Sequence, residues 1–139
     1  MAPITNGPLK AESIHTLHGA NYFSWDPVVV LRLNLGPYDE VFTNQIPGFI
    51  EKLKTAVPSL IEHKCSEAVR GGFFLRMEMG TLLGHVLEHV ALELQNLAGI
   101  DVAFGKTRST ATQGVYNVVF RYEDPSVGIR AGEIAFDLL

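Results

Sequence analysis

Hydrophobic positions recur with helical spacing over one long segment, residues 81–98. Successive residues of an α-helix are about 100° apart, so six apolar residues of this segment fall on one stripe: Leu83, Val86, Leu87, Val90, Leu94 and Leu97. Such a stripe is typical of a helix that packs on a hydrophobic core. His85 and His89 are four residues apart and fall on roughly the opposite face, with Glu88 beside them. The pattern therefore predicts a helix with two chemically different faces.

Elsewhere apolar and polar residues alternate, which predicts β-strands. Segment 28–35 begins with β-branched residues and then alternates strictly, so Arg32 and Asn34 should share one face of a sheet. Segment 115–122 is rich in β-branched and aromatic residues, which favour strands. Two shorter strands are predicted, one at 14–17 and one that begins at 102–104.

Three further helices are predicted, at 46–57, at 74–79 and from Ser126 toward the C-terminus. For the long helix, Thr81 is the predicted N-cap and Gly99 the residue that follows its C-terminal end.

The order of these elements predicts an α+β fold. We expect a two-layer sandwich, with a mostly antiparallel sheet and helices packed on one face. Residues 1–12 are predicted to form a flexible N-terminal arm, and residues 13–139 a single domain.

The composition narrows the class of protein. The chain has 139 residues, of which 47% are hydrophobic and 19% are charged, as is typical of one globular domain. Its net charge of −4 and scattered basic residues argue against a nucleic-acid-binding module, which needs clustered Lys and Arg. A membrane span needs roughly 20 consecutive apolar residues, and the sequence has no such run.

Two features of the chain indicate where the protein is found and whether it is part of a longer one. The single cysteine, Cys65, excludes an intrachain disulfide framework and favours the cytoplasm, where thiols stay reduced. The amphipathic segment 131–139 ends without the Gly or polar residue that usually closes a helix. We therefore expect the chain to be a domain of a longer protein.

The histidine face of the long helix carries a metal-binding pattern. The sequence H-x-x-E-H is the inverted form of the zinc-hydrolase motif H-E-x-x-H, in which two imidazoles bind one metal ion and the carboxylate takes a proton from water. We predict His85 and His89 as metal ligands and Glu88 as the catalytic base. A helix that merely carries polar residues on its outer face is the alternative, but a helix this apolar favours the metal site.

A catalytic zinc normally has three protein ligands, so a third is expected. Cys65 is one candidate because a thiolate is a soft ligand, although a buried cysteine often serves only as a small apolar side chain. Glu93, one turn beyond His89, is the competitor, and it is equally suited to support an imidazole by a hydrogen bond. The spacing does not separate Cys65 from Glu93.

Several short strings together resemble one family. They are L-H-G-A-N-Y at 17–22, I-P-G-F at 46–49, H-K-C-S at 63–66, R-G-G-F at 70–73, the block 80–99 around H-x-x-E-H, and F-G-K-T-R at 104–108. This set is similar to the N-terminal domain of cyanophycin synthetases, and the block 80–99 is highly specific.

The resemblance implies a domain that binds cyanophycin, a polymer of aspartate bearing arginine side chains. In the full-length chain it would precede an ATP-grasp domain and a Mur-ligase-like domain, and only those ligase domains would use ATP and Mg²⁺. The full-length protein would be a homo-oligomer with no nucleic-acid or membrane partner.

For some members of the family the resemblance also implies a metal-dependent hydrolase that cuts the polymer into primers. His85 and His89 would then hold Zn²⁺, and Glu88 would be the base. The alternative is a non-catalytic polymer-binding and docking module that serves the ligase domains. In either case Arg70 and Arg108 are the predicted contacts to free carboxylates of the polymer.

Overall fold

The computed structural model of the protein describes residues 3–63 and 69–139. The strands are β1 (Ile4–Asn6), β2 (Leu9–Leu17), β3 (Val28–Asn34), β4 (Gly105–Ser109) and β5 (Val115–Arg121). The helices are α1 (Phe49–Ala56), α2 (Gly72–Met79), α3 (Leu83–Leu97) and α4 (Pro125–Asp137). Short 3-10 turns lie at Gly36–Tyr38, Thr43–Gln45 and Pro58–Glu62. Within the described residues the strands form one antiparallel sheet in the order β1-β2-β3-β5-β4.

The register of the central strand β3 determines the two faces of the sheet. Leu31 lies opposite Ile14 of β2 and Val118 of β5, and all three side chains are buried. Because side chains alternate along a strand, Arg32 points to the other face. There its Nε donates to a carboxylate oxygen of Glu12 over 3.1 Å. The alternation predicted for segment 28–35 is confirmed.

Helices α3 and α4 pack against each other and against the face of the sheet that carries Leu31. The close approach of α4 depends on Gly132, where a β-carbon would lie 2.8 Å from Ile14 Cδ1. At the start of α4 the carboxylate of Asp124 accepts hydrogen bonds from the next turn of backbone, as an N-cap does. The predicted α+β sandwich with helices on one face is confirmed.

The opposite face of the sheet holds a smaller apolar cluster. Val28, Val30 and Val119 are buried there, and Phe23 and Leu17 pack against them. This face carries no helix among the described residues, so the chemistry of α3 lies entirely on the other side of the sheet. None of the helices in the described part of the chain has the length and apolar character needed to cross a membrane.

The prediction of a flexible arm over residues 1–12 is wrong from Ile4 onward. Strands β1 and β2 form a hairpin there, with Ile4 opposite Ala11. Leu9 is 5% exposed and Ala11 is fully buried, so these alternating small and apolar residues add to the core. The short strand predicted at 14–17 is the second half of β2, because polar residues between Leu9 and Ile14 conceal the first half.

Two boundaries near the histidine helix also differ from the prediction. The strand expected from 102 begins only at Gly105, because Val102 is buried beside the end of α3 and its N–H donates to Asn96 Oδ1 over 3.0 Å. Helix α3 begins at Leu83 after the N-cap Leu82, which makes no side-chain cap bond. Thr81 is therefore not the N-cap.

Candidate metal centre

The apolar stripe of α3 packs on the core, with Val86, Leu87 and Val90 fully buried, but Leu97 at its C-terminal end is 62% exposed. The opposite face is only partly open to solvent, unlike that of an ordinary surface helix, because His85 and His89 are half-buried. It is covered by β4 on one side and by α2 and the preceding turn on the other, so that Glu88 is only 8% exposed. The polar face of α3 therefore lies in a half-enclosed cleft. We call His85, Glu88 and His89 the metal centre.

The two imidazoles of the metal centre converge. His85 Nε2 lies 3.0 Å from His89 Nε2, a distance that one helical turn between the residues makes possible. The aromatic ring of Phe73, on α2, stacks on His89 with ring centroids 4.2 Å apart and planes 18° apart. Phe73 also meets His85 edge to face, so one buried ring fixes the orientation of both imidazoles.

The other nitrogen of each imidazole also has a partner. His85 Nδ1 lies 3.0 Å from the hydroxyl oxygen of Thr81. His89 Nδ1 lies 2.9 Å from His63 Nδ1, and His63 Nε2 lies 3.0 Å from Glu93 Oε1. The chain Glu93–His63–His89 thus places a carboxylate two hydrogen bonds away from His89.

Glu88 is held from the opposite side by β4. The hydroxyl of Thr107 donates to Glu88 Oε1 over 3.0 Å. Burial raises the pKa of Glu88 to about 7, although the Thr107 hydrogen bond and the charge of Arg108 act to lower it. A carboxyl group with a pKa near neutrality can both accept and return a proton, which is what general acid–base catalysis needs.

Burial acts on the imidazoles in the opposite direction. It lowers the pKa of His89 to about 3, with further contributions from the neighbouring His85 and His63. It also lowers the pKa of His85, together with the charge of Arg76. Both rings are therefore neutral at physiological pH, and the neutral imidazole is the form that binds a metal ion.

These residues fit a divalent metal ion. One ligand atom from each of His85, Glu88 and His89 lies within 4.8 Å of the others. Both Nε2 atoms face the same point, while a hydroxyl and an imidazole support the two Nδ1 atoms. Histidines that bind zinc show this pattern, because the hydrogen bond at one nitrogen fixes the tautomer and the direction of the other.

The structure describes one of the two candidates for the third ligand. Cys65 lies outside the described residues. Glu93 points to His63 rather than to the pair of Nε2 atoms, so it has the supporting position and not that of a direct ligand. His63 itself is a member of the cluster that the motif alone did not identify. The signal available for it was its position two residues before Cys65 in the sequence.

The two arginines predicted to bind the polymer lie apart from each other. Arg70 is exposed and its Nε donates to Glu62 over 2.9 Å. Arg108 is exposed on β4, and its charge reaches Glu88. Its side chain lines a groove on the helix-free face of the sheet, together with Lys106 and Arg32.

Two cavities border the metal centre. One, of about 290 Å³, reaches His85 and is lined by Arg76 and Thr107 among others. The other, of about 460 Å³, reaches His89 and Glu88 and is lined by acidic side chains. We call them the arginine cavity and the acidic cavity. The acidic side chains of the second are Glu62, Glu88, Glu93 and Asp101.

Comparison with known proteins gives the family of the chain. The sequence profile of the cyanophycin synthase-like N-terminal domain matches residues 30–139. Cyanophycin synthetases from Trichormus variabilis and Geminocystis herdmanii are 50% and 48% identical to the chain over 132 residues, which is 94% of it. Cyanophycin synthetase from a Synechocystis species is 50% identical over 125 residues, which is 88% of the chain.

The chain spans only 14–15% of the length of these curated relatives. The match therefore concerns one domain of a much longer protein, and it covers both the sheet and the histidine helix. The chain belongs to the cyanophycin synthase-like N-terminal domain family.

Proposed function

We propose that this domain binds cyanophycin and cuts it into primers as a zinc-dependent hydrolase, within a longer cyanophycin synthetase. The observation that carries the proposal is the convergence of His85 Nε2 and His89 Nε2 at 3.0 Å, with Glu88 beside them in a half-enclosed cleft. A purely structural polar face would not need two neutral, buried imidazoles aimed at one point.

His85 and His89 would hold the metal ion, with Cys65 as the proposed third ligand, while Glu93 supports the ring of His63. When bound, zinc supplies a Lewis acid that polarises the scissile carbonyl. Thr81 supports the ring of His85, and His63 supports that of His89, so both ligands are oriented before metal binds.

Glu88 acts as the base. It takes a proton from the attacking water and passes it to the amine that leaves, which is the role of the carboxylate in H-x-x-E-H hydrolases. Thr107 fixes one oxygen of Glu88 by its hydrogen bond, and this sets the direction of the carboxylate. The cleft between α2 and β4 limits the access of bulk water to the carboxylate.

The acidic cavity supports a substrate rich in guanidinium groups. Glu62 and Asp101 line its wall within reach of His89. Carboxylates pair with guanidinium groups by two parallel hydrogen bonds, which gives both affinity and orientation. An arginine-bearing polymer suits this wall better than an acidic or apolar peptide does.

A second candidate function is a polymer-binding and docking module without catalysis. The observation that favours it is a groove of about 500 Å³ on the helix-free face of the sheet, lined by Lys106, Arg108 and Arg32 together with the exposed Tyr22. Three cations in one groove suit the free carboxylates of the polymer. With this function the domain catalyses no reaction itself. The ATP-grasp and Mur-ligase-like domains of the full-length chain, with their ATP and Mg²⁺, would catalyse every step.

The deciding experiment uses purified cyanophycin and the Glu88→Gln variant. We expect the wild-type chain loaded with zinc to shorten the polymer, as measured by mass spectrometry, and a chelator to stop this. Glu88→Gln should retain zinc and lose cleavage, because the amide cannot take a proton. Glu123→Gln, at an exposed carboxylate that lines neither cavity, is the matched control.

Two results would contradict the hydrolase. One is unchanged cleavage by Glu88→Gln, which would remove Glu88 as the base. The other is an absence of zinc both in the purified chain and after titration with micromolar zinc, with His85→Ala behaving like the wild type. The second result would leave the docking module as the function.

A further inference from the structure

Among the residues that the structure describes, the cation in the arginine cavity has no counter-ion. Arg76 lies on α2 and is half-buried. Within residues 3–63 and 69–139 its guanidinium makes no hydrogen bond and no ion pair, whereas Arg32, Arg70 and Arg121 each pair with a carboxylate. A half-buried cation without a partner is costly, because it loses part of its hydration without gaining an opposite charge.

The walls around Arg76 contain nothing that would neutralise it. Apolar side chains form much of the lining, and no acidic side chain of the described residues takes part. The apolar members are Leu35, Phe42 and Leu82, and the polar ones include Thr81, Thr107 and Ser109. The cavity thus combines one fixed positive charge with several hydroxyl groups, and this set of groups suits an anion.

The position of the cavity links it to the metal centre. His85 and Gly84 form part of its wall, and the charge of Arg76 acts on His85. The acidic cavity lies on the other side, against His89 and Glu88. A substrate that crosses the metal centre would therefore meet a positive group on one side and negative groups on the other.

We propose that the arginine cavity binds a free carboxylate of the substrate, next to the amide that is cleaved. The inference rests on the proposed hydrolase for the identity of the substrate. Arginine groups joined to aspartate through their amino groups keep a free carboxylate, and Arg76 presents a planar donor fork that matches it. Arg76 is a binding residue that sets the position of the scissile bond relative to Glu88.

The test compares two short synthetic polymers on the zinc-loaded chain. One is an aspartate backbone that bears arginine, and the other bears argininamide, which lacks only the free carboxylates. We expect the KM of the wild type to be lower for the polymer that bears arginine than for the polymer that bears argininamide. Arg76→Met should raise the KM for the arginine polymer by about 10- to 100-fold, the range for a hydrogen bond to a charged group. The KM for the argininamide polymer should not change. Arg76→Lys should retain part of the preference, because it keeps the charge without the fork.

The control variant is Arg130→Met, at an exposed arginine of α4 that pairs with Glu133. It should behave like the wild type with both polymers. Equal losses by Arg76→Met on the two polymers would show a structural role and overturn the proposal. An unchanged KM for the arginine polymer would overturn it as well.

A separate binding measurement distinguishes a failure of this inference from a failure of the hydrolase. Calorimetric titration of the same two polymers in the presence of a chelator requires no cleavage. If the wild type cleaves neither polymer, an affinity for the arginine polymer that falls with Arg76→Met still upholds the carboxylate site. Equal affinities of wild type and Arg76→Met would overturn it.

Discussion

Gly105 of β4 lies against Glu88 of α3 so closely that a β-carbon at residue 105 would stand 2.6 Å from Glu88 Cγ. The edge strand therefore reaches the carboxylate only because this position has no side chain. One helical turn before Glu88, Gly84 plays the same role for Thr107, whose methyl carbon would lie 2.9 Å from an added β-carbon. The F-G-K-T-R string is therefore the part of the chain in which β4 packs closely against the polar face of α3.

Gly105→Ala should displace the carboxylate of Glu88. We expect it to lower the free energy of unfolding by about 1–3 kcal/mol, the usual cost of overpacking, and to reduce cleavage strongly. In a Glu88→Ala background the same substitution should cost much less, because the atoms it would strike are gone. Urea unfolding of the four proteins in a double-mutant cycle measures the coupling. Additive effects would show that the strain lies elsewhere.

His63→Ala should weaken zinc binding by about 10- to 100-fold, because His89 loses the partner that fixes its tautomer. Competition with a chromophoric chelator measures this affinity. His15→Ala, at an exposed histidine of β2, is the control and should leave affinity unchanged. A loss as complete as that in His89→Ala would instead make His63 a direct ligand.

Tyr116→Phe tests a hydrogen bond at the rim of the arginine cavity. The phenol donates to Asp39 Oδ1 over 2.7 Å, and this bond, with burial and the charges of Asp39 and Glu40, raises the pKa of Tyr116 to about 12. The folded state therefore keeps the proton at a pH where the unfolded chain, with a pKa of about 10, loses it. The contribution to stability is full below about pH 10 and is lost as the pH rises toward about 12.

We accordingly expect Tyr116→Phe to lower the free energy of unfolding by about 1 kcal/mol at neutral pH. The difference from wild type should shrink above about pH 10. Denaturant unfolding at several pH values measures it. Tyr22→Phe, at a residue that is 93% exposed, is the control. A constant difference across this pH range would contradict the assigned hydrogen bond.

Gly132→Ala should have two opposing effects on the stability of the fold, one through helix propensity and one through packing. Alanine favours a helix over glycine by about 1 kcal/mol. The added β-carbon would lie 2.8 Å from Ile14 Cδ1 and 3.0 Å from Phe120 Cζ, both in the core, and overpacking of this kind costs about 1–3 kcal/mol. We expect a net loss in melting temperature, with partial recovery in the Ile14→Val background. An increase would show that α4 can move away from the sheet.

The sequence by itself determined the features that depend on local periodicity. A 3.6-residue repeat places His85 and His89 on one face of α3, and a two-residue repeat separates Leu31 from Arg32 across the sheet. Both repeats act within one element, so no distant residue is needed to predict them. The N-terminal hairpin was not predicted because polar residues interrupt its apolar ones. The start of β4 was placed too early because an edge strand tolerates a polar sequence, which gives no clear boundary.

Only the tertiary structure decided what surrounds the histidine pair. His63 reaches His89 across 26 positions of sequence, and Thr107 reaches Glu88 across 19. The periodicity of the sequence does not predict such contacts, because they depend on how α2, β4 and the turn before α2 pack on α3. The same packing places Glu93 against His63, so that the carboxylate bonds to that ring and not to the pair of Nε2 atoms. The helical repeat set the face of α3 on which His85 and His89 lie, and the burial supplied by distant elements set their charge and orientation.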